Sequence, residues 1–197
     1  MNYLCRDDCV PASHKKLSMN YLKIITIIFV LCLQSSAGEI RELTENKIHS
    51  LSAEDAKISF QKISLKTILK SKIEKEVRQR FFKDWLYIWK VMENDSVTKY
   101  AVLDNVYGKA MPITFLTILD NSGKIKSVRV IKYRESIGGQ ITNPKWLKQF
   151  TGKSVDSDFS PGKDVDAISG ATISVNALTK GIQKIVMLFP FIQKNVN

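Results

Sequence analysis

The 197 residues are 44% apolar and 25% charged, with a net charge of +11; that is enough apolar chain for one domain with its own core. The lysines are scattered rather than massed and no nucleic-acid recognition motif accompanies them. The charge therefore points away from nucleic acid and toward an ordinary solvated surface, or a basic one facing an anionic membrane or an acidic partner.

The first segment reads as an export signal. The tetrapeptide Met-Asn-Tyr-Leu occurs at 1–4 and again at 19–22, and from Met19 the chain has the right order of parts. Lys23 gives a short positive region and Ile24 to Leu33 an apolar one. Ser35-Ser36-Ala37 supplies small residues where a signal peptidase cuts. The apolar run is about half of the roughly 20 residues a membrane span needs. Cleavage after Ala37 is expected, with an uncleaved N-terminal anchor as the alternative. Leu31 before Cys32 speaks against a lipoprotein signal. Residues 1–18 read as an upstream extension ahead of a start at Met19. Cys5, Cys9 and Cys32 all precede the expected cut. The mature chain then has no disulfide, thiolate zinc site, iron–sulfur cluster or cysteine nucleophile.

After a polar lead-in at 38–56, residues 58–83 show helical spacing at Ile63, Leu65, Ile68, Leu69, Ile73 and Val77. Residues 81–89 are densely aromatic. Core packing is the commoner use of such residues, a quinone or haem platform the rarer one. Strands are expected at 99–106 and 113–119, with Asp120-Asn121-Ser122-Gly123 as a turn and 124–133 as the returning strand. A loop at 134–140 contains paired glycines. Trp146 to Phe150 reads as a short helix, and 151–165 as a further loop. The last element is a helix from about Ser174 to Phe189, with Val175, Leu178, Ile182, Ile185, Val186 and Phe189 on one stripe and Pro190 as its stop.

Asp166-Ala167-Ile168-Ser169-Gly170-Ala171-Thr172-Ile173-Ser174 leads into that helix. A helix start offers unpaired N–H groups and a positive dipole end, which attract phosphate. Gly170 and Ala171 leave the backbone approachable, and Ser169, Thr172 and Ser174 offer hydroxyls. On local physics alone a capped helix after a tight turn is the better account of the stretch, since four small residues do not by themselves specify a flavin.

Asp-x-x-Ser-Gly-Ala-Thr followed by a small hydroxyl residue resembles the flavinylation signature of the FMN-binding domain family. That domain occurs in the G subunit of Rnf complexes, the C subunit of sodium-translocating NADH:quinone reductase and many small exported bacterial proteins. The resemblance extends to Arg134-Glu135-Ser136-Ile137-Gly138-Gly139-Gln140, to Trp146 through Lys153, and to Gly108-Lys109 with Pro112 to Phe115. The Rnf-type loop commonly reads Thr-Pro-Gly-Leu-Gly where this chain has Ser136-Ile137-Gly138-Gly139.

The resemblance implies an α+β fold: a twisted, mainly antiparallel sheet with packed helices. It implies FMN joined by a phosphoester to Thr172, donated from FAD by a separate flavin transferase. Asp166, Ser169, Gly170 and Ala171 would shape the signature, Ser174 would contact the phosphate, and Glu135, Ser136, Gly138 and Gly139 would form a loop over the ring system. The expected organisation is a signal at 1–37, a helical N-terminal region at 38–96, the FMN-binding domain at 97–189 and a tail at 190–197. The expected role is an exported electron-transfer flavoprotein, periplasmic or held at the outer face of the cytoplasmic membrane, working with membrane electron-transfer proteins. A reversible FMN- or ligand-binding module is the alternative. No residue stands out as an acid or base toward a substrate, and His14 and His49 read as surface residues.

Overall fold

Five antiparallel strands follow one another across a single sheet in chain order. The computed structural model describes residues 38–196; the expected signal segment, its three cysteines and His14 lie outside the described residues. Helix α1 (38–49) comes first. Then come β1 (Lys57–Ser64), α2 (Thr67–Val77), β2 (Trp85–Glu93), β3 (Ser96–Tyr107), β4 (Pro112–Asp120) and β5 (Ile125–Lys132). A short α3 (Pro144–Leu147) runs into a 3-10 turn at Lys148–Phe150, and α4 (Thr172–Asn195) closes the chain. This is the α+β architecture expected from the sequence.

The sheet is covered on both faces, so its strands combine alternation with near-continuous burial. Ile88 of β2, Tyr100, Val102 and Val106 of β3, and Ile113, Phe115 and Leu119 of β4 share one core with Val175, Leu178, Ile182 and Ile185 of α4. Trp89, Val91, Ala101, Leu103, Leu116 and Ile118 point the other way, into a second core with Ile48 of α1. α4 lies across β3 and β4 at close range because of Gly181: a methyl group there would stand 2.6 Å from Val106 and 2.9 Å from the Phe115 ring. The aromatic run belongs largely to packing. Trp89 is buried, donates its ring N–H to Glu45 at 3.0 Å, and stacks at a tilt on Phe60.

Four elements differ from the expected pattern: α1 forms within the polar lead-in, β2 takes up the aromatic run inside the region expected to be helical, and β1 and the end of α4 depart from it too. The helical spacing at 58–83 holds only from Thr67; before it the chain is a strand, with Lys57 to Ser64 paired against Met92 to Trp85. Ile63 and Leu65 are two residues apart and both buried, the period of extended chain, and the partner that settles the matter is distant in sequence. Pro190 does not stop α4. It is exposed and costs one helical hydrogen bond, while Ile192 and Val196 beyond it are fully buried. The hairpin at 113–133 is as expected. The Asp120 carboxylate accepts from the backbone N–H of Ser122 and Lys124, and Gly123 takes the positive φ of 79° that the turn requires.

Candidate functional site

Two loops and the start of α4 enclose a cavity of about 250 Å³. Its walls are Lys109, Glu135 and Ile137 on one side and Gly170 through Ser174 on the other. Residues from separated stretches of sequence thus meet in one place.

The signature segment forms the helix side. Gly170 has φ of 77° and open space around its α-carbon. It turns the chain so that Ala171 becomes the N-cap of α4, with the Ala171 N–H donating to Ile168 at 3.0 Å. No side chain caps the helix there and its first turn holds no acidic residue. The N–H groups of that turn have no partner within the helix, and the turn's residues, at the positive dipole end, line the cavity. Thr172 is exposed, whereas Ser174 is almost fully buried. The Ser174 hydroxyl lies 3.4 Å from both the Tyr133 hydroxyl and the Glu135 carboxylate.

Glu135 anchors the opposite side. One carboxylate oxygen accepts from the backbone N–H of Ala110 at 2.9 Å and of Met111 at 3.2 Å. Burial pushes this carboxyl up, but the N–H groups of residues 109–111 and the Ser174 hydroxyl outweigh it and hold it below the ordinary carboxylate range. Gly108 makes room for it, since a methyl group there would stand 2.3 Å from the carboxylate oxygen. Lys109 is thereby held at the rim. Arg134 turns outward from the cavity wall to donate to the Pro112 carbonyl at 3.1 Å and Thr114 at 3.2 Å.

Gly138 seals the junction. Its φ is 85°, and a methyl group on it would stand 2.8 Å from the Tyr133 oxygen and 3.1 Å from the Ala171 side chain. The Tyr133 hydroxyl also donates to the Ile137 carbonyl at 2.5 Å. Asp166 acts through its backbone. Its carbonyl accepts from the Trp146 ring N–H at 3.0 Å, and its N–H donates to Gln149 at 2.7 Å.

Of the residues singled out from sequence, Thr172, Gly170, Ala171, Ser174 and Glu135 line the cavity. Gly138 is buried behind it. Ser136, Gly139, Asp166 and Ser169 are exposed and off its lining. Sequence reasoning missed Lys109, Tyr133, Ile137 and Ile173. The signal available in the sequence was an isoleucine near a loop glycine in each segment; the structure leaves Ile137 68% and Ile173 53% exposed.

These residues fit FMN as a donor set. Uncapped N–H groups and Lys109 suit a phosphate, Thr172 presents a hydroxyl beside them, and Ile137 and Ile173 offer apolar surface to a ring system. The cavity is smaller than the roughly 300–1,000 Å³ that encloses a drug-sized ligand, so a flavin here would be only partly enclosed.

Comparison with known proteins agrees. The sequence model of the FMN-binding domain matches residues 108–187. The chain is 25% identical to the G subunit of the Na(+)-translocating ferredoxin:NAD(+) oxidoreductase complex of Acetobacterium woodii, over 81% of this chain and 82% of that protein. It is 31% identical to the G subunit of an ion-translocating oxidoreductase complex of Stutzerimonas stutzeri, over 44% of this chain and 42% of that one. The fold matches the crystal structure of Shewanella oneidensis NqrC with a TM-score of 0.54 at 16% identity, covering 80% of this chain and 98% of that one. Residues 108–187, the stretch that carries the cavity lining and most of α4, are thus what this chain shares with the FMN-binding domain.

Proposed function

We propose that this protein is an exported electron-transfer flavoprotein carrying FMN as a phosphoester on Thr172. The observation that carries the reading is the position of that hydroxyl. It is exposed at the first residue of α4, on the wall of a cavity that also presents uncapped helix N–H groups and Lys109. FMN when bound supplies one- and two-electron redox chemistry.

The chain's own residues hold and place the group. The first turn of α4 and Lys109 take the phosphate charge, and Gly170 leaves the attachment point open to a flavin transferase, with FAD as donor. Ile137 and Ile173 give the ring an apolar support. Glu135 keeps the 108–111 turn, and so Lys109, in place. Asp166, Ser169, Ser136 and Gly139 stand at the surface around the cavity, where a transferase or a redox partner would meet them. Only partial enclosure makes a covalent bond useful. A shallow reversible site empties when free flavin falls well below the dissociation constant, and a phosphoester removes that dependence. Relatives named as subunits of ion-translocating oxidoreductase complexes support membrane electron-transfer proteins as partners. Among the described residues no helix is long and apolar enough to cross a membrane.

Co-expression with a flavin transferase tests the assignment. The expected result is a fluorescent band on a denaturing gel that Thr172→Val abolishes. Fluorescence surviving in Thr172→Val moves the attachment elsewhere, and flavin released by acid precipitation marks reversible binding.

A further inference from the structure

We propose that a basic hollow between β5 and the α3 turn is the docking face for an acidic segment of a protein partner. The hollow measures about 430 Å³ and is lined by Lys126, Arg129, Lys145 and Lys148 with Ser127 and Thr151; no carboxylate lines it. Lys126 and Arg129 come from the edge strand β5, Lys145 and Lys148 from α3 and the 3-10 turn after it. The chain closes the hollow by pairing back onto the strand: the Ile125 N–H donates to Lys153 at 2.9 Å, and the Gly152 N–H to Ile125 at 2.7 Å. Four cations are therefore held together by backbone pairing and the packing of Leu147 and Phe150, both fully buried.

The acidic group nearest in effect is Asp120, which feels Lys126 but is engaged by the Ser122 and Lys124 N–H groups of its own turn. Walls of one charge sign around a concavity concentrate the potential. The lining also offers no large apolar side chain to enter a membrane.

The turn that carries Lys145 and Lys148 also contacts the start of the signature segment. Trp146 and Gln149, between and beside the two lysines of that turn, hold the backbone of Asp166 at the start of the signature. A partner seated in the hollow would sit behind the loop that leads to Thr172. That significance rests on the flavin reading; the docking itself needs no flavin.

The test is anisotropy of labelled poly-L-glutamate with the full chain at low and high salt. Binding should weaken as salt rises. Lys145→Glu/Lys148→Glu should weaken it about tenfold or more, and the neutral pair Lys145→Gln/Lys148→Gln should weaken it less. Lys72→Glu/Lys75→Glu on the exposed side of α2 should change it less than about twofold. Equal loss from both Glu pairs, or no binding by the wild type, overturns the proposal. So does binding to phosphatidylglycerol vesicles that Lys145→Glu/Lys148→Glu abolishes while poly-L-glutamate binding persists. Gel fluorescence of each variant is read alongside: its absence throughout refutes the flavin reading and leaves the anisotropy result standing.

Discussion

Gly138 and Ala171 touch across 33 positions of sequence, so closely that a methyl group on the glycine would lie 3.1 Å from the alanine side chain. This contact joins the Glu-Ser-Ile-Gly loop to the signature segment. Gly138→Ala adds that methyl group, at a backbone angle L-residues rarely adopt, against the Tyr133 hydroxyl. A cost of about 1–3 kcal/mol is expected, together with reduced flavin loading. Gly139→Ala meets open space and should leave stability unchanged. Denaturant unfolding and gel fluorescence on the two variants make the comparison.

Glu135 ties the turn at 108–111 to the helix side. Glu135→Ala hands the exposed Ala110 and Met111 N–H groups over to water, at about 0.5–1.5 kcal/mol. The pH dependence has a fixed sign. The folded carboxyl titrates below its ordinary 4.5, so its contribution is full above that value and is lost as pH falls through the folded one. The wild type should lose stability relative to Glu135→Ala on acidification below 4.5, measured by urea unfolding across a pH series.

Asp104 and Lys184 form a buried pair, carboxylate to ammonium 3.8 Å. Burial pushes the Asp104 carboxyl up to about 6, against the pull of Lys184 and the Asn105 N–H, and burial likewise lowers Lys184. Lys184 donates to the Arg80 carbonyl at 2.8 Å and sits 4.3 Å over the Phe81 ring. Between 3.8 and about 6 the folded state holds a proton on Asp104 that the unfolded chain releases. Stability therefore declines as pH rises through that window, opposite in sign to Glu135. Asp104→Asn should flatten this slope. Asp104→Leu strands the ammonium and should cost about 3–5 kcal/mol, most of it recovered in Asp104→Leu/Lys184→Met. Unfolding curves of the four proteins decide it.

Gly181→Ala drives a methyl group into Val106 and Phe115. Lifting α4 from the sheet should cost about 1–3 kcal/mol despite the better helix propensity of alanine. A lowered melting temperature with unchanged helical circular dichroism is the expected signature.

The hairpin at 113–133 and α4 were legible because each signals locally: a turn tetrad between β-branched runs, and an apolar stripe at helical spacing. Thr172 was legible through its motif. β1 was not, because Lys57 finds its partner at Met92 and nothing within the strand announces this. Lys109 joins the cavity, and Tyr133 backs it through Ser174 and Ile137, only through tertiary packing. Asp166 stands out in the sequence as a carboxylate, yet the fold engages its peptide groups. Lys184 reads as one charge among many on a helix. Its neighbour on the sheet face beneath α4, Asp104, is what makes it a core residue.

α4 rises about 1.5 Å per residue and is embedded from Ser174 to Ile192. Whatever Thr172 bears is therefore mounted on a stiff mast set into the hull of the domain, without a tether that could swing. Reach toward a donor or acceptor must come from tumbling of the whole body, or from the partner's own approach.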